Sequence, residues 1–182
     1  SDGLALKLKE VNSEIYETYG MTETITHIAA KRIGAEYFRV LEHVSISIDE
    51  RSCLVIEAPS ISNEQIITND IVEILNESQF KWLGRYDNVI NSGGIKLFPE
   101  QIEIKLASKI SQRFFIAGQP DAILGTKVVL IIEGNEQEIP ISVFNSLDKF
   151  EKPKQIVFVP EFVETETKKV NRIQTLKKIK VV

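Results

Sequence analysis

The chain has 182 residues, of which 43% are hydrophobic and 26% are charged. This composition excludes a disordered polypeptide and is typical of one folded domain, or of one small domain plus part of another. The formal net charge of −4 argues against a nucleic-acid partner, because phosphate backbones are bound by an excess of Lys and Arg.

The first half of the chain is predicted to be mostly β-structure. A helix is expected over residues 4–11, and residues 13–20 form a strand that runs into a loop. Alternating apolar residues before a polar turn predict a hairpin over residues 43–59. The turn at residues 76–78 precedes a further strand over residues 80–87.

The second half alternates strands and helices. A hairpin is expected around Gly93 and Gly94. Pro99 opens a helix over residues 99–110, whose apolar residues recur every four positions. The remaining predicted elements are strands over 113–118, 127–134 and 154–162, and helices over 139–150 and 171–179. This order predicts a compact α+β unit.

The cellular location is predicted from cysteine usage and hydropathy. Cys53 is the one cysteine, and its apolar neighbours predict a buried structural thiol. No apolar stretch approaches the roughly 20 residues of a membrane helix, and no signal peptide opens the chain. We therefore expect a cytoplasmic protein without membrane insertion.

The stretch from Tyr19 to Glu23 combines an aromatic ring, a glycine without a side chain, a hydroxyl and a carboxylate in one loop. Such a loop suits a ligand that has a flat apolar part and a charged part. The simpler alternative is a strand-to-loop turn with Gly20 at positive φ.

Asp70 is the candidate acceptor for a sugar. In the motif Thr68-Asn69-Asp70 it is expected at the start of a strand, where a carboxylate can accept two hydrogen bonds from vicinal hydroxyls, as in ribose recognition. A turn in which an Asn or Asp side chain bonds the backbone is the alternative.

Residues 84–103 and 164–176 hold the other two motifs. Arg85 could reach a phosphate or sugar, and Gly93 and Gly94 let the backbone approach a ligand closely. The alternative is a glycine turn followed by the start of a helix. A lysine of the last motif could swing toward a negative charge, or belong to a solvated basic tail.

The order and spacing of these motifs resemble the AMP-forming acyl-CoA synthetases, the adenylate-forming (ANL) superfamily. Residues 19–23 look like the family's adenine and magnesium loop, and residues 68–70 like its Thr-Gly-Asp ribose motif. Residues 84–103 are similar to its hinge stretch, and residues 167–172 to its terminal Thr-Gly-Lys-x-x-Arg motif. Members join a carboxylic acid to AMP and then pass the acyl group to a thiol, usually that of coenzyme A.

The resemblance implies ATP, Mg²⁺ and coenzyme A as cofactors, and a role for each matching residue. Tyr19 would lie against adenine, with the backbone of Gly20 and Met21 near the nucleotide. Thr22 would bond the α-phosphate and Glu23 would help to hold Mg²⁺. The other implied roles are ribose binding by Asp70, a nucleotide contact from Arg85, a hinge at Asp87, passage of the coenzyme A arm past Gly93 and Gly94, and catalysis by Lys169.

Three positions depart from the family pattern. Asn69 replaces a glycine that a tolerant turn would accept, since Asn is the usual substitute at positive φ. Asn88 replaces the second Asp of the hinge stretch. Lys168 replaces the glycine before the catalytic lysine, so Lys168 stays an alternative to Lys169, which keeps the family spacing to Arg172.

The family's Ser/Thr/Gly-rich phosphate loop is not found in this sequence. The chain is therefore expected to be the C-terminal portion of a ligase, and to be inactive alone. Residues 1–84 would be a β-rich piece of the large domain, residues 85–87 the hinge, and residues 88–182 the small mobile α+β domain. Exposed apolar surface on the first piece would favour a homo-oligomer.

Thr26 and His27 would flank the acyl pocket and give it a polar wall. With this polar wall and the residues of its motifs, the chain resembles the o-succinylbenzoate–CoA ligases of menaquinone biosynthesis. His27 could instead cap a helix or hydrogen-bond in the core. The alternatives to this substrate are a short- or medium-chain or aryl acyl-CoA synthetase, an adenylation module that loads a carrier protein, and a non-catalytic nucleotide-binding domain.

Overall fold

A computed structural model describes residues 13–179. The chain divides into two compact units, of which the first ends at Asp87 and the second begins at Asn88. The helix predicted for residues 4–11 lies outside the described residues. In the described part, no helix is long and apolar enough to cross a membrane.

Seven antiparallel strands form the sheet of the first unit, in the order β1-β2-β3-β7-β6-β5-β4. The strands are β1 (Tyr16–Gly20), β2 (His27–Arg32), β3 (Phe38–Val40), β4 (Ser45–Ile48), β5 (Cys53–Glu57), β6 (Ile66–Asn76) and β7 (Gln79–Arg85). Short 3₁₀ helices cover Thr22–Thr24 and Tyr86–Asn88. The strand predicted over 80–87 therefore ends two residues early.

The β4–β5 hairpin confirms the prediction for residues 43–59. Its turn is held by Asp49, whose Oδ1 accepts hydrogen bonds from the backbone N–H groups of Arg51 at 2.8 Å and Cys53 at 2.9 Å. Cys53 is fully buried, as predicted, and burial raises the pKa of its thiol. The thiol is therefore structural in character.

An apolar cluster forms the core of the first unit. Its buried members come from β2, β3, β5, β6 and β7 and from the residue that follows β5, and they are Ile28, Ala29, Phe38, Leu54, Ile56, Ala58, Val72 and Phe80. Tyr19 and Met21 of the first motif pack against this cluster. The core of the unit therefore supports the loop that the sequence singles out.

The second unit is α+β, as predicted. Its strands are β8 (Ile90–Ser92) and β9 (Ile95–Leu97), which form a hairpin, and β10 (Phe114–Asp121), β11 (Gly125–Glu133) and β12 (Gln155–Val159), which form a sheet with β11 in the centre. The β10–β11 pair is antiparallel and the β11–β12 pair is parallel. The helices are α1 (Pro99–Leu106) and α2 (Arg172–Lys178).

Two predicted helices need correction. Helix α1 ends at Leu106, because the next N–H, of Ala107, bonds a carbonyl only three residues back. Ile110 is nevertheless buried with Ile102 and Leu106, so the predicted apolar face is confirmed. Residues 139–150 contain only a 3₁₀ helix over Ile141–Ser146, whose β-branched residues and Asn-Ser pair disfavour an α-helix.

Candidate functional site

Pairing of β6 with β7 brings two predicted site residues together. Asp70 lies directly opposite Arg85 in the register, and the Arg85 Nη1 to Asp70 Oδ1 distance is 3.7 Å. Asp70 is only 7% exposed. The expectation that it starts a strand is wrong, and so is the turn alternative, because Asp70 lies inside the eleven-residue strand β6.

The prediction that Asn69 lies in a turn at positive φ is also wrong. It lies in β6 and its φ is not positive, so no tolerant turn explains it. Instead, its side chain joins two others. Asn69 Oδ1 accepts a hydrogen bond from Arg51 Nη1 at 2.9 Å, and Asn69 Nδ2 donates to Asp87 Oδ2 at 3.4 Å. Arg51 was missed because it has no motif of its own and arrives from the β4–β5 turn.

Tyr19 reaches the same cluster of charges from β1. Its hydroxyl donates a 2.5 Å hydrogen bond to Asp70 Oδ2. Its ring meets Phe38 and Phe80 edge-on, at centroid distances of 5.9 and 5.3 Å. Burial, followed by the bond to Asp70, raises the pKa of the Tyr19 phenol well above its ordinary value. The phenol is therefore a neutral donor at neutral pH.

Gly20 is needed for a close approach of two backbones. Its φ is not positive, so the simpler alternative of a turn with Gly20 at positive φ is wrong. A Cβ at Gly20 would lie 2.6 Å from the carbonyl oxygen of Thr26, which no side-chain movement can relieve. The next residues are organised by Thr24, which the sequence argument missed. Its buried hydroxyl accepts from Met21 N–H at 2.9 Å and lies 2.8 Å from Thr26 O.

The remaining residues of this loop face outward. Thr22, Glu23, Thr26 and His27 are exposed. His27 begins β2, so the alternative that it caps a helix or bonds in the core is wrong. Among residues 13–179, no three His, Cys, Asp or Glu side chains are grouped to hold a metal.

Asp87 lies in the 3₁₀ helix that closes the first unit. Its Oδ2 atom is 3.5 Å from Arg85 Nη2, besides the contact with Asn69. Asn88 begins the second unit and donates a 2.5 Å hydrogen bond from Nδ2 to Glu100 Oε1. An Asp at position 88 would instead face the buried carboxylate of Glu100 with a second negative charge.

Gly93 and Gly94 form the turn between β8 and β9. Their φ values are 58° and 83°, which is the pattern of a two-residue turn that only glycine-like residues adopt easily. The alternative of a glycine turn is thus confirmed. A Cβ at Gly94 would have no atom within 4 Å, so the space beside Gly94 is open.

The lysine loop is an ordered turn rather than a loose tail. Thr165 N–H bonds the carbonyl of Lys169 at 2.8 Å, and Glu164 pairs with Val170. Lys168 has φ 63°, which explains why glycine suits this position in the family pattern. The Lys168 ammonium lies 3.7 Å from Glu164, whereas Lys169 is exposed and has no ion-pair partner among the described residues.

Arg172 anchors this loop to the core of the second unit. Its Nη2 atom bonds Glu103 Oε2 at 2.8 Å, and Glu103 Oε1 accepts from the backbone N–H of Ile116 at 2.8 Å. Burial raises the pKa of the Glu103 carboxyl, against the opposing effect of Arg172. The pair holds α2, α1 and β10 together, with Lys169 three residues before the anchor.

Comparison with known proteins gives the same family of enzymes as the motifs. No protein-family model matches. The chain is 25% identical to a 2-succinylbenzoate–CoA ligase of Lactococcus lactis, over 93% of this chain and 43% of the relative. It is 27% identical to a 3,4-dihydroxybenzoate–[aryl-carrier protein] ligase of Bacillus anthracis, over 94% of this chain and 43% of the relative.

A solved structure is similar as well. It is an o-succinylbenzoate coenzyme A synthetase from Bacillus subtilis in complex with ATP and magnesium ion, with a TM-score of 0.81 and 18% identity. The match covers 95% of this chain and 43% of that one, so the chain spans less than half the length of each of these three proteins. The resemblance predicted from the motifs is confirmed: in sequence and fold, the chain is similar to part of the AMP-forming acid–CoA ligases.

Proposed function

We propose that the chain is the C-terminal portion of an AMP-forming acid–CoA ligase and that its first unit binds the adenosine part of ATP. The observation that carries the proposal is the convergence of Tyr19, Asp70 and Arg85 from three strands. A carboxylate suits two ribose hydroxyls and a guanidinium suits a phosphate or sugar oxygen. The resemblance assigns a nucleotide role to all three residues.

The exposed loop between β1 and β2 would serve the phosphates. Thr22 offers a hydroxyl for the α-phosphate, while Gly20 and Met21 bring backbone near the nucleotide. Glu23 is an exposed carboxylate, which fits Mg²⁺ bound mainly by the phosphates of ATP. When bound, Mg²⁺ would neutralise charge on those phosphates. Tyr19 would offer ring area to adenine.

The second unit would supply different residues for adenylate formation and for transfer to coenzyme A. Lys169 would approach the reacting carboxylate and α-phosphate, where its charge stabilises the transition state. Gly93 and Gly94 would line the path of the coenzyme A arm, for which the open space beside Gly94 is support. Asp87 would be the hinge between the domains, in keeping with its place at the end of the first unit.

For the acid, we propose o-succinylbenzoate, and a cytoplasmic enzyme of menaquinone biosynthesis. The Lactococcus lactis relative and the exposed polar pair Thr26 and His27 support this choice. An aryl acid loaded onto a carrier protein is the second candidate, because the Bacillus anthracis relative matches as well. A homo-oligomer remains an expectation, which the mass of the purified chain in solution would test.

The nucleotide proposal is tested by titrating the chain with AMP in a calorimeter. We expect saturable binding that Asp70→Asn weakens about tenfold or more, since a hydrogen bond to a charged group contributes ~1.5–3 kcal/mol. Glu73→Gln is the matched control, because Glu73 is an exposed carboxylate three residues along the same strand. Equal affinities of the wild type and Asp70→Asn would contradict the proposal.

The substrate is tested with the full-length protein that carries this chain. Pyrophosphate release would be compared for o-succinylbenzoate, 3,4-dihydroxybenzoate, acetate, benzoate and octanoate. We expect the highest kcat/KM with o-succinylbenzoate, because a polar wall suits a keto-dicarboxylate. A preference for octanoate would contradict the menaquinone proposal, and a preference for 3,4-dihydroxybenzoate would favour the second candidate.

A further inference from the structure

The contact between Tyr19 and Asp70 crosses the inside of the first sheet. Strands β2, β3 and β7 lie between β1 and β6 in the hydrogen-bonded order. At ~4.8 Å per strand, a flat sheet would hold the two strands ~19 Å apart. The 2.5 Å bond between the side chains therefore requires the sheet to curl, so that both residues share its inner surface.

The two carboxylate oxygens of Asp70 have different partners. Oδ2 of Asp70 accepts from the Tyr19 hydroxyl, while Oδ1 has the Arg85 guanidinium at 3.7 Å. A phenol donating to a carboxylate is a charge-assisted bond, and both groups are largely shielded from water. Oδ1 is therefore the oxygen left for a further donor.

The aromatic contacts of Tyr19 support a fixed position for its hydroxyl. Phe38 and Phe80 both meet the Tyr19 ring edge-on, and Phe80 is fully buried. A ring held by two neighbours can aim its hydroxyl without losing much conformational freedom on binding. A ring needed only as a stacking surface would gain nothing from the hydroxyl.

We propose that Tyr19 is a positioning residue for ribose recognition: its hydroxyl fixes Oδ2 of Asp70 and so aims Oδ1 at the vicinal hydroxyls. This inference rests on the proposed role of Asp70 as the ribose acceptor. Tyr19 thus acts through Asp70, in addition to any contact between its ring and adenine. The Tyr19→Phe change separates the two roles, because it keeps the ring and removes the hydroxyl.

The test compares AMP with 2′,3′-dideoxyadenosine monophosphate as ligands of the chain. We expect Tyr19→Phe to weaken AMP binding about tenfold and to leave the affinity for the dideoxy nucleotide unchanged. In an Asp70→Asn background, Tyr19→Phe should have no further effect, which is the mark of a coupled pair. Tyr16→Phe is the matched control, since Tyr16 is an exposed tyrosine on the same strand whose hydroxyl bonds Glu14.

A second readout needs no nucleotide. In protein with ¹³C-labelled tyrosine, the Cζ resonance of Tyr19 should move when Asp70 is changed to Asn, while that of Tyr16 stays in place. An unmoved Tyr19 resonance, or equal loss of affinity for both nucleotides in Tyr19→Phe, would overturn the role of the Tyr19 hydroxyl. Neither result would contradict the proposed ribose role of Asp70. A wild-type chain that binds AMP no more tightly than the dideoxy nucleotide would overturn the proposed ribose role of Asp70 itself.

Discussion

At the scale of single residues, the first unit contains a continuous line of polar contacts. It runs from Arg51 through Asn69 to Asp87, and from there through Arg85 to Asp70. Asn69 is the member that departs from the family pattern, and its side chain provides two of these contacts. A glycine at that position would leave Asp87 without its link to Arg51.

We therefore expect Asn69→Gly to loosen the segment around Asp87. Trypsin should cut after Arg85 about fivefold faster, the factor that corresponds to hydrogen bonds with a net value of ~1 kcal/mol. Cleavage would be followed by mass spectrometry of the released peptides. The control is Asn76→Gly, which makes the same change at the exposed end of the same strand. Equal acceleration in both variants would show that the Asn69 contacts do not restrain Asp87.

The site residues differ in how far the sequence could place them. Asp70 and Arg85 were both singled out, but their pairing depends on the register of β6 against β7, which no local pattern fixes. Gly20 was expected to bring its backbone near the nucleotide, but its close approach to the backbone of Thr26 was not predicted. Thr24 and Arg51 were missed because each acts through contacts that only the folded chain creates.

At the scale of elements, alternating apolar residues predicted the strands well. The hairpins around residues 49–52 and around Gly93 and Gly94 are present. The α-helix predicted over 139–150 is wrong, because the spacing of apolar residues does not distinguish an α-helix from a 3₁₀ helix. The β-branched residues of this segment disfavour the α-helix. The anchor between α1 and α2 was not predicted, since Glu103 and Arg172 are distant in sequence.

That anchor should make stability depend on pH. Because burial raises the pKa of Glu103 in the folded chain, the folded state binds this proton more tightly than the unfolded state. The contribution of Glu103 to stability is therefore largest below the ordinary pKa of 4.5 and falls as pH rises toward the raised value. Glu103→Gln removes this dependence.

Urea unfolding followed by circular dichroism, at several values between about pH 4 and about pH 8, would measure the difference. We expect the free energy of unfolding of the wild type, relative to Glu103→Gln, to decrease with rising pH. Glu136→Gln is the matched control, because Glu136 is exposed in the same unit. A relative stability that increases with pH would mean that the ion pair with Arg172 outweighs burial.

At the scale of the whole molecule, each unit has a core of its own. The first encloses the cluster around Phe80, and the second packs α1 and the hairpin against one face of its three-stranded sheet. The candidate residues are divided in the same way, with Asp70 and Arg85 in the first unit and Lys169 in the second. In the two-step reaction that we propose, the second unit would supply different groups to each step.

For the full-length protein, we expect Lys169→Ala to lower the rate of acyl-adenylate formation by about 10²–10³, the loss typical of one removed electrostatic stabiliser. Transfer of a preformed acyl-adenylate to coenzyme A should continue. Lys168→Gly is the comparison, because glycine suits the φ of 63° and restores the family residue. Equal loss of both steps in Lys169→Ala, or loss of adenylation in Lys168→Gly alone, would contradict the assignment.

In the proposed nucleotide site, the curled sheet of the first unit gathers Asp70, Arg85 and the loop after β1 around one adenosine monophosphate. The most direct test is an NMR titration of the ¹⁵N-labelled chain with AMP. We expect saturable shifts that centre on Gly20 to Glu23, on Asp70 and on Arg85. Shifts scattered over unrelated surfaces, or none at saturating AMP, would contradict the claim.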